Sequence, residues 1–255
     1  MTVSPVDPDA GFGIPRGTDL SRFRSVVHRS YERFLTTGQI DEAVRPVVAD
    51  SWRLSRDSGV NPDRVLPPVD WTDEELVTYR DAHPLAAVMP VIRQLLLDAA
   101  AGQGAVVAVL DADSRLLWVE GDPVLRRRAE GMHWVPAARW SEELAGTNAP
   151  AASLRLERPV QIFSREHYAS NVEPWSCAAA PIRDPMTGEL LGALDITGSD
   201  DVAAPGGTGR WPTIVAGSCR CRFATRRSCC CWPRTPSATP PNGWPSTCTS
   251  GTSPQ

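Results

Sequence analysis

The sequence predicts an α+β fold in which helical segments come first and short strands follow. Between residues 19 and 101, apolar residues recur at the three-to-four spacing of amphipathic helices. After residue 104 the apolar residues form short runs that are separated by turn-forming sequences, as in an antiparallel sheet. We therefore expect an antiparallel sheet flanked by helices, with an N-terminal helical region before it and an irregular C-terminal tail after it.

This reading divides the chain into four segments. Residues 1–18 are rich in Pro, Gly and Asp and are predicted to be disordered. Residues 19–104 form the helical region, residues 105–200 form the sheet domain, and residues 201–255 form the tail.

The helical region is predicted from apolar spacing and from capping residues. A first helix is expected over 19–35, with Asp19 or Ser21 near its N-cap, and a second over 41–57, stopped by Gly59. Thr72 and the acidic residues after it indicate another helix start, because the helix dipole favours acids in the first turn. A long apolar helix is then expected over 85–101.

The sheet domain is predicted from short apolar runs between turns. The strand candidates are 105–110, 115–119, 160–163, 176–182 and 190–196, and helices at 124–130 and 149–156 fill the gaps. The polar residues at 111–114 favour a tight turn, so the first two strands should form a hairpin.

Charge and hydropathy exclude several classes of protein. The chain has 255 residues, of which 42% are hydrophobic, but it has neither an apolar run that could span a bilayer nor an export signal, so we expect a cytoplasmic protein without membrane contact. All 26 basic residues are Arg, which is typical of a GC-rich genome. Up to residue 201 there are 30 acidic residues and 20 Arg, which argues against a nucleic-acid surface in this part.

Several motifs resemble the GAF-type sensory domain of bacterial transcriptional activators of the acetoin-operon regulator type. They are WSEELAGTNA at 140–149, PVQIF at 159–163, EH at 166–167, WSC at 175–177 and LLGALDITG at 190–198. The family places an Arg-rich helix with a Ser-Trp core ahead of this domain, and RPVVADSWR at 45–53 fills that place. The resemblance runs from about residue 44 to residue 198.

The resemblance implies a GAF-like fold and a cytoplasmic sensor of small molecules. It also implies a homodimer formed through the helices that flank the sheet. DNA would be contacted only through an output domain that this chain does not contain. One departure from the family is that Ala151 and Ala152 stand where a Gly usually follows the Asn of the 140–149 motif.

The candidate ligand-binding residues lie in a loop and in two strand-end positions. They are Trp140, Glu142, Thr147, Asn148, Glu166, His167 and Cys177. The loop residues either bind the ligand or hold the loop in shape by capping a helix, with Gly146 in a left-handed turn. Glu166 and His167 either bind a polar ligand or make structural hydrogen bonds.

An enzyme is not expected, and neither are a catalytic residue, a cofactor or a metal. Cys177 either packs as a small buried residue or acts as a sensor thiol, which would need a lowered pKa. The alternative functions are therefore a thiol-dependent GAF-fold redox enzyme or sensor centred on Cys177, and a truncated, non-functional product. In the tail, Cys219 and Cys221 are too close together for zinc-ligand spacing.

The composition of the tail indicates a shifted reading frame. After residue 201 there is no acidic residue, but there are six Arg, eight Pro and six of the seven Cys. Ser, Cys, Trp and Phe have codons that begin with T, and in a displaced frame that T becomes the middle base of apolar codons. Re-read in this way, the segment from residue 234 gains acidic residues and helical apolar spacing.

Overall fold

The computed structural model describes residues 13–14, 17–94 and 104–199. The predictions for residues 201–255, and for most of residues 1–18, lie outside the described residues. The helices are α1 (Leu20–Thr37), α2 (Pro46–Asp57), α3 (Asp73–Ala82), α4 (Met89–Ile92), α5 (Pro123–Glu130), α6 (Glu142–Ala145) and α7 (Ala149–Leu156). The strands are β1 (Ala105–Asp111), β2 (Leu116–Gly121), β3 (Val160–Phe163), β4 (Ser176–Arg183) and β5 (Leu190–Gly198).

The α+β class, with an antiparallel sheet flanked by helices, is confirmed. The five strands are arranged in the order β2-β1-β5-β4-β3, and all neighbours are antiparallel. Each predicted strand is present, with ends that differ by at most two residues. The turn at 111–114 joins β1 and β2 as a hairpin, as expected.

The capping signals in the helical region are also confirmed. Asp19 accepts a hydrogen bond from the backbone of Arg22 at the start of α1. Thr72 and Glu75 form a reciprocal capping box at the start of α3.

Two helix predictions were wrong at a proline. The second helix begins at Pro46 rather than at residue 41, because proline has no backbone donor and fits best in a first turn. The segment from residue 85 is not one continuous helix. A 3₁₀ turn (Pro84–Ala87) comes first, and α4 then starts with Pro90 in its first turn. Residues 95–101 of the predicted helix lie outside the described residues.

The apolar core lies on both faces of the sheet. Alternate residues of β1 point to opposite sides, so Val106 and Leu110 share a cluster with Trp52 of α2, whereas Val107 shares one with Leu85. The helix α7 packs on β3, β4 and β5, whereas α2 shares the core cluster on that face and contacts α6. Within residues 17–94 and 104–199, no helix has the length and apolar character needed to cross a membrane.

Candidate functional site

The loop between Trp140 and Asn148 is packed into the interior. Its four predicted site residues are at most 3% exposed: Trp140, Glu142, Thr147 and Asn148. Gly146 has a φ of 72° and a ψ of −169°, a positive-φ backbone that favours glycine but not the left-handed turn that the sequence predicted. A Cβ at Gly146 would lie 3.0 Å from the Cβ of Tyr168, so the loop approaches the chain on the other side closely.

Asn148 uses all its polar atoms on the backbone. Its Oδ1 accepts from the backbone N–H of Ala151 at 2.9 Å and caps α7. Its Nδ2 donates to the carbonyl oxygens of Trp140 and Gly146, at 3.0 and 2.8 Å. The side chain therefore holds the loop against the start of α7.

Glu142 and Thr147 both contact the hydroxyl group of Ser51 in α2. Ser51 of α2 donates to the Glu142 carboxylate, and its Oγ lies 2.8 Å from the Oγ1 of Thr147. Arg155 of α7 donates to the other oxygen of Glu142 at 2.5 Å. Because Glu142 is 3% exposed, this network compensates the burial of its charge.

Glu166 is the acidic partner in a buried ion pair with Arg45, just before α2. The Arg45 guanidinium donates to both carboxylate oxygens, at 2.8 and 2.5 Å. The backbone N–H of Phe163 donates to the same carboxylate at 2.9 Å. Trp52 donates its ring N–H to the Glu166 carbonyl at 2.8 Å. The charge is thus paired and hydrogen-bonded on several sides.

His167 and Cys177 lie next to each other in a second buried group. The Nδ1 of His167 is 2.9 Å from the Ser164 carbonyl oxygen, which can only accept, so the neutral ring carries its proton there. The Nε2 of His167 is then free to accept and lies 3.5 Å from the Cys177 sulfur. Thr197 of β5 lies 3.1 Å from that sulfur.

Asp195 completes this group, although it is not among the seven residues predicted from the sequence. Its Oδ2 accepts from Thr197 at 2.6 Å, while its Oδ1 has no hydrogen-bond partner among the described residues. The available signal was a carboxylate in the middle of the apolar run of β5, since Asp is almost never fully buried without a partner.

Burial sets the protonation of these three groups. It lowers the pKa of His167 to about 4 and raises the pKa of the Cys177 thiol well above its usual range. It also raises the pKa of Asp195 to about 7, against the lowering effect of the Thr197 hydrogen bond. A reactive thiol needs a lowered pKa, so the surroundings of Cys177 argue against a thiol-dependent enzyme.

The seven predicted residues form two groups, both in contact with α2. The loop group consists of Trp140, Glu142, Thr147 and Asn148, and the second group consists of Glu166, His167 and Cys177. Ser51 contacts the loop group at Glu142 and Thr147, and the next residue, Trp52, contacts the Glu166 carbonyl of the second group. These two residues are the Ser-Trp core of the N-terminal motif and are not among the predicted site residues. The motif therefore contacts both groups through two adjacent residues of α2.

Two open clefts lie on the surface of the described residues. One, of about 240 Å³, is bordered by Ser114, Ser141, Glu142 and Arg155 together with Ala112, Glu143, Ala151, Leu154 and Leu190. The other, of about 750 Å³, follows α3 from Trp71 to Ala82. Glu142 borders the smaller cleft, but neither Asn148 nor His167 borders either one. Within the part of the chain that the structure describes, no three His, Cys, Asp or Glu residues are grouped so that they could hold a metal ion.

Comparison with known proteins extends over almost all of the described chain. The family described as "MimR, N-terminal domain" matches residues 24–206. An uncharacterised 47.3 kDa protein of Rhodococcus erythropolis is 51% identical over 65% of this chain and 38% of its own length. The propane 2-monooxygenase operon transcriptional activator MimR of Mycolicibacterium smegmatis is 35% identical over 66% of this chain and 28% of its own length. The chain thus spans about a third of the length of these relatives.

Two further matches concern the predicted resemblance. The acetoin dehydrogenase operon transcriptional activator AcoR of Bacillus subtilis is 31% identical over 66% of this chain and 28% of its own length, which confirms the resemblance to acetoin-operon regulators. A chain in the crystal structure of the E. coli DhaR(N)–DhaL complex shares the fold, with a TM-score of 0.58 at 16% identity over 69% of this chain and 58% of that one. On the match over residues 24–206, this chain belongs to the family of MimR N-terminal domains.

Proposed function

We propose that this chain is the signal-sensing module of a bacterial transcriptional activator and that it binds a small metabolite. The observation that carries the proposal is its family membership, since the match over 24–206 includes the whole sheet and α2, and named relatives are transcriptional activators. The buried polar groups joined by α2 support a sensing role, because a ligand that disturbs either group would also act on that helix.

The proposed ligand is small and uncharged. The relatives are named for operons of a propane 2-monooxygenase and an acetoin dehydrogenase, whose substrates are small neutral molecules. In this chain the charges of Glu142 and Glu166 are already paired with Arg155 and Arg45. A neutral ligand would enter this interior without the desolvation cost of a further charge.

The proposed output is indirect. The relatives are about three times as long as the matched segment, and DNA would be contacted by an output domain of a longer protein. The excess of acidic residues up to residue 201 supports this division of roles, because it disfavours contact with phosphates. We further propose a cytoplasmic homodimer, which light scattering of the purified chain would test.

The experiment follows thermal unfolding of the full chain in the presence of a panel of neutral metabolites and their carboxylate analogues. A sensing module should show saturable stabilisation by a narrow set of compounds, because only the folded state binds them. In parallel, residues 24–206 replace the matched segment of the M. smegmatis activator, and a reporter gene measures transcription. The proposal fails if no compound stabilises the chain and no compound changes reporter expression.

A further inference from the structure

Asp195 lies in β5, the central strand of the sheet, and only one of its two carboxyl oxygens has a hydrogen-bond partner among the described residues. The side chain is fully buried, and Thr197 hydrogen-bonds to Oδ2 at 2.6 Å. Oδ1 has no hydrogen-bond partner among the described residues. A buried polar atom in this state costs stability, and the few that native proteins keep have a specific reason, such as a functional role or a bound water or ion.

The two cross-strand neighbours of Asp195 have short side chains. On the sheet, Asp195 lies directly opposite Ala108 of β1 and Ala179 of β4, so the three share one face. That face also carries Ala149 and Ala152 of α7 in its apolar cluster. The ion pairs of the described residues do not include Asp195.

Such surroundings favour a neutral carboxyl group. A carboxylate without a cationic partner in an apolar interior is strongly disfavoured, whereas a carboxylic acid can stay there and donate one hydrogen bond. Since the Thr197 hydroxyl donates to Oδ2, Oδ1 is the oxygen that can carry the proton towards a ligand.

We propose that Asp195, positioned by Thr197, is the ligand-recognition group of the domain, and that its protonated Oδ1 donates a hydrogen bond to the carbonyl or hydroxyl oxygen of a small uncharged ligand. This rests on the proposed sensing function and adds the site and the ligand chemistry. The surrounding alanines contact the short carbon skeleton of the ligand. A carboxylate ligand is rejected because it would bring a second, unpaired acid into the same interior.

The site has a built-in pH dependence. Cys177 of β4 shares the face of Asp195 and contacts His167. The other titratable side chains of the two neighbouring strands lie at strand ends: Asp111 of β1, on the opposite face of the sheet, and Arg183 of β4, which pairs with Glu157. Burial lowers the pKa of His167 to about 4 and raises the pKa of Cys177, so both are neutral near pH 7. The buried acids Glu142 and Glu166 on flanking elements are paired with Arg155 and Arg45. Asp195, with its pKa raised by burial to about 7, is the group of this site that changes charge in the neutral range.

The test uses the full chain with acetone, acetoin and acetate as probes, and measures the ligand-induced shift in melting temperature at about pH 6 and about pH 8. With a pKa of about 7, the protonated fraction of Asp195 falls roughly ten-fold between these conditions, and the apparent affinity for the two neutral probes should fall by the same factor. Asp195→Asn keeps an N–H donor, so it should bind acetone equally at both pH values. Asp195→Val keeps a strand-forming residue but removes the donor, so it should not bind.

The control is Asp113→Asn, which alters an exposed acid in the β1–β2 turn and should behave like the unchanged chain. If Asp195→Val binds a neutral probe as tightly as the unchanged chain, the site is elsewhere, although the sensing function stands. The same holds if another compound of the metabolite panel binds and none of the neutral probes does, since that overturns the ligand chemistry. Preferential binding of acetate also overturns it. Should Asp195→Val fail to fold, the pH profiles of the unchanged chain and of Asp195→Asn decide the question.

Discussion

Replacing Asp195 by Asn should make the folded protein more stable at alkaline pH. In the unfolded chain the Asp195 carboxyl has its ordinary pKa of 3.8, whereas burial raises its pKa to about 7 in the folded protein. Between these values the folded protein holds a proton that the unfolded chain has released. Rising pH therefore favours unfolding, and the stability of the protein falls from about pH 4 to about pH 7 and then levels off. Asn does not titrate and removes this loss.

The size of the effect follows from the pKa difference. A difference of about three units, at 1.36 kcal/mol per unit, corresponds to about 4 kcal/mol of unfolding free energy above pH 7. Below about pH 4 the Asp195 carboxyl is neutral in both the folded and the unfolded chain, as the Asn side chain is at every pH. The unfolding free energies of the variant and the unchanged chain should therefore agree within about 1 kcal/mol. For a domain of this size the alkaline difference corresponds to roughly 10 °C in melting temperature.

The assay is urea unfolding followed by circular dichroism at a series of pH values. His167 also contributes to the pH dependence, with the opposite sign, because its folded pKa is lowered to about 4 and its stabilising effect is lost as the pH falls. That contribution is common to both proteins and cancels in the difference between them. A difference that stays constant with pH, or an Asn variant that is less stable above pH 7, would refute the reasoning.

Four further predictions concern other parts of the chain. Arg45→Met should lower the unfolding free energy by about 3–5 kcal/mol in urea titrations, since it leaves Glu166 buried and unpaired, and adding Glu166→Gln should restore part of it. Asn148→Ala should cost about 1–2 kcal/mol in the same assay because it removes the cap of α7; an unchanged stability with lost ligand response would instead favour ligand binding by Asn148. Cys177 should remain unlabelled by iodoacetamide in the native protein and become labelled in urea, as peptide mass mapping will show; rapid native labelling would support a sensor thiol. Sequencing the gene around codon 201 should reveal an adjacent frame that stays open downstream, and early stop codons there would exclude the frameshift.

The sequence by itself determined the local structure and the family. Strands such as β3 (Val160–Phe163) and the helix cap at Thr72 depend on neighbouring residues, so short-range apolar spacing and capping patterns were enough to predict them. The motifs at 140–149 and 190–198 likewise carried the resemblance to sensory domains. Prolines were the exception, since they moved the starts of α2 and α4 away from the limits of the apolar pattern.

Only the tertiary structure decided how the buried polar residues are paired. Arg45 and Glu166 are 121 positions apart in the chain, and Trp52 and the Glu166 carbonyl are 114 apart, so no local pattern predicts either contact. The role of Asp195 was hidden for the same reason. Ala108 and Ala179, which two neighbouring strands place opposite it, offer its carboxyl group no polar side chain. The free-energy cost of burying a carboxyl group depends on such long-range packing rather than on its own segment.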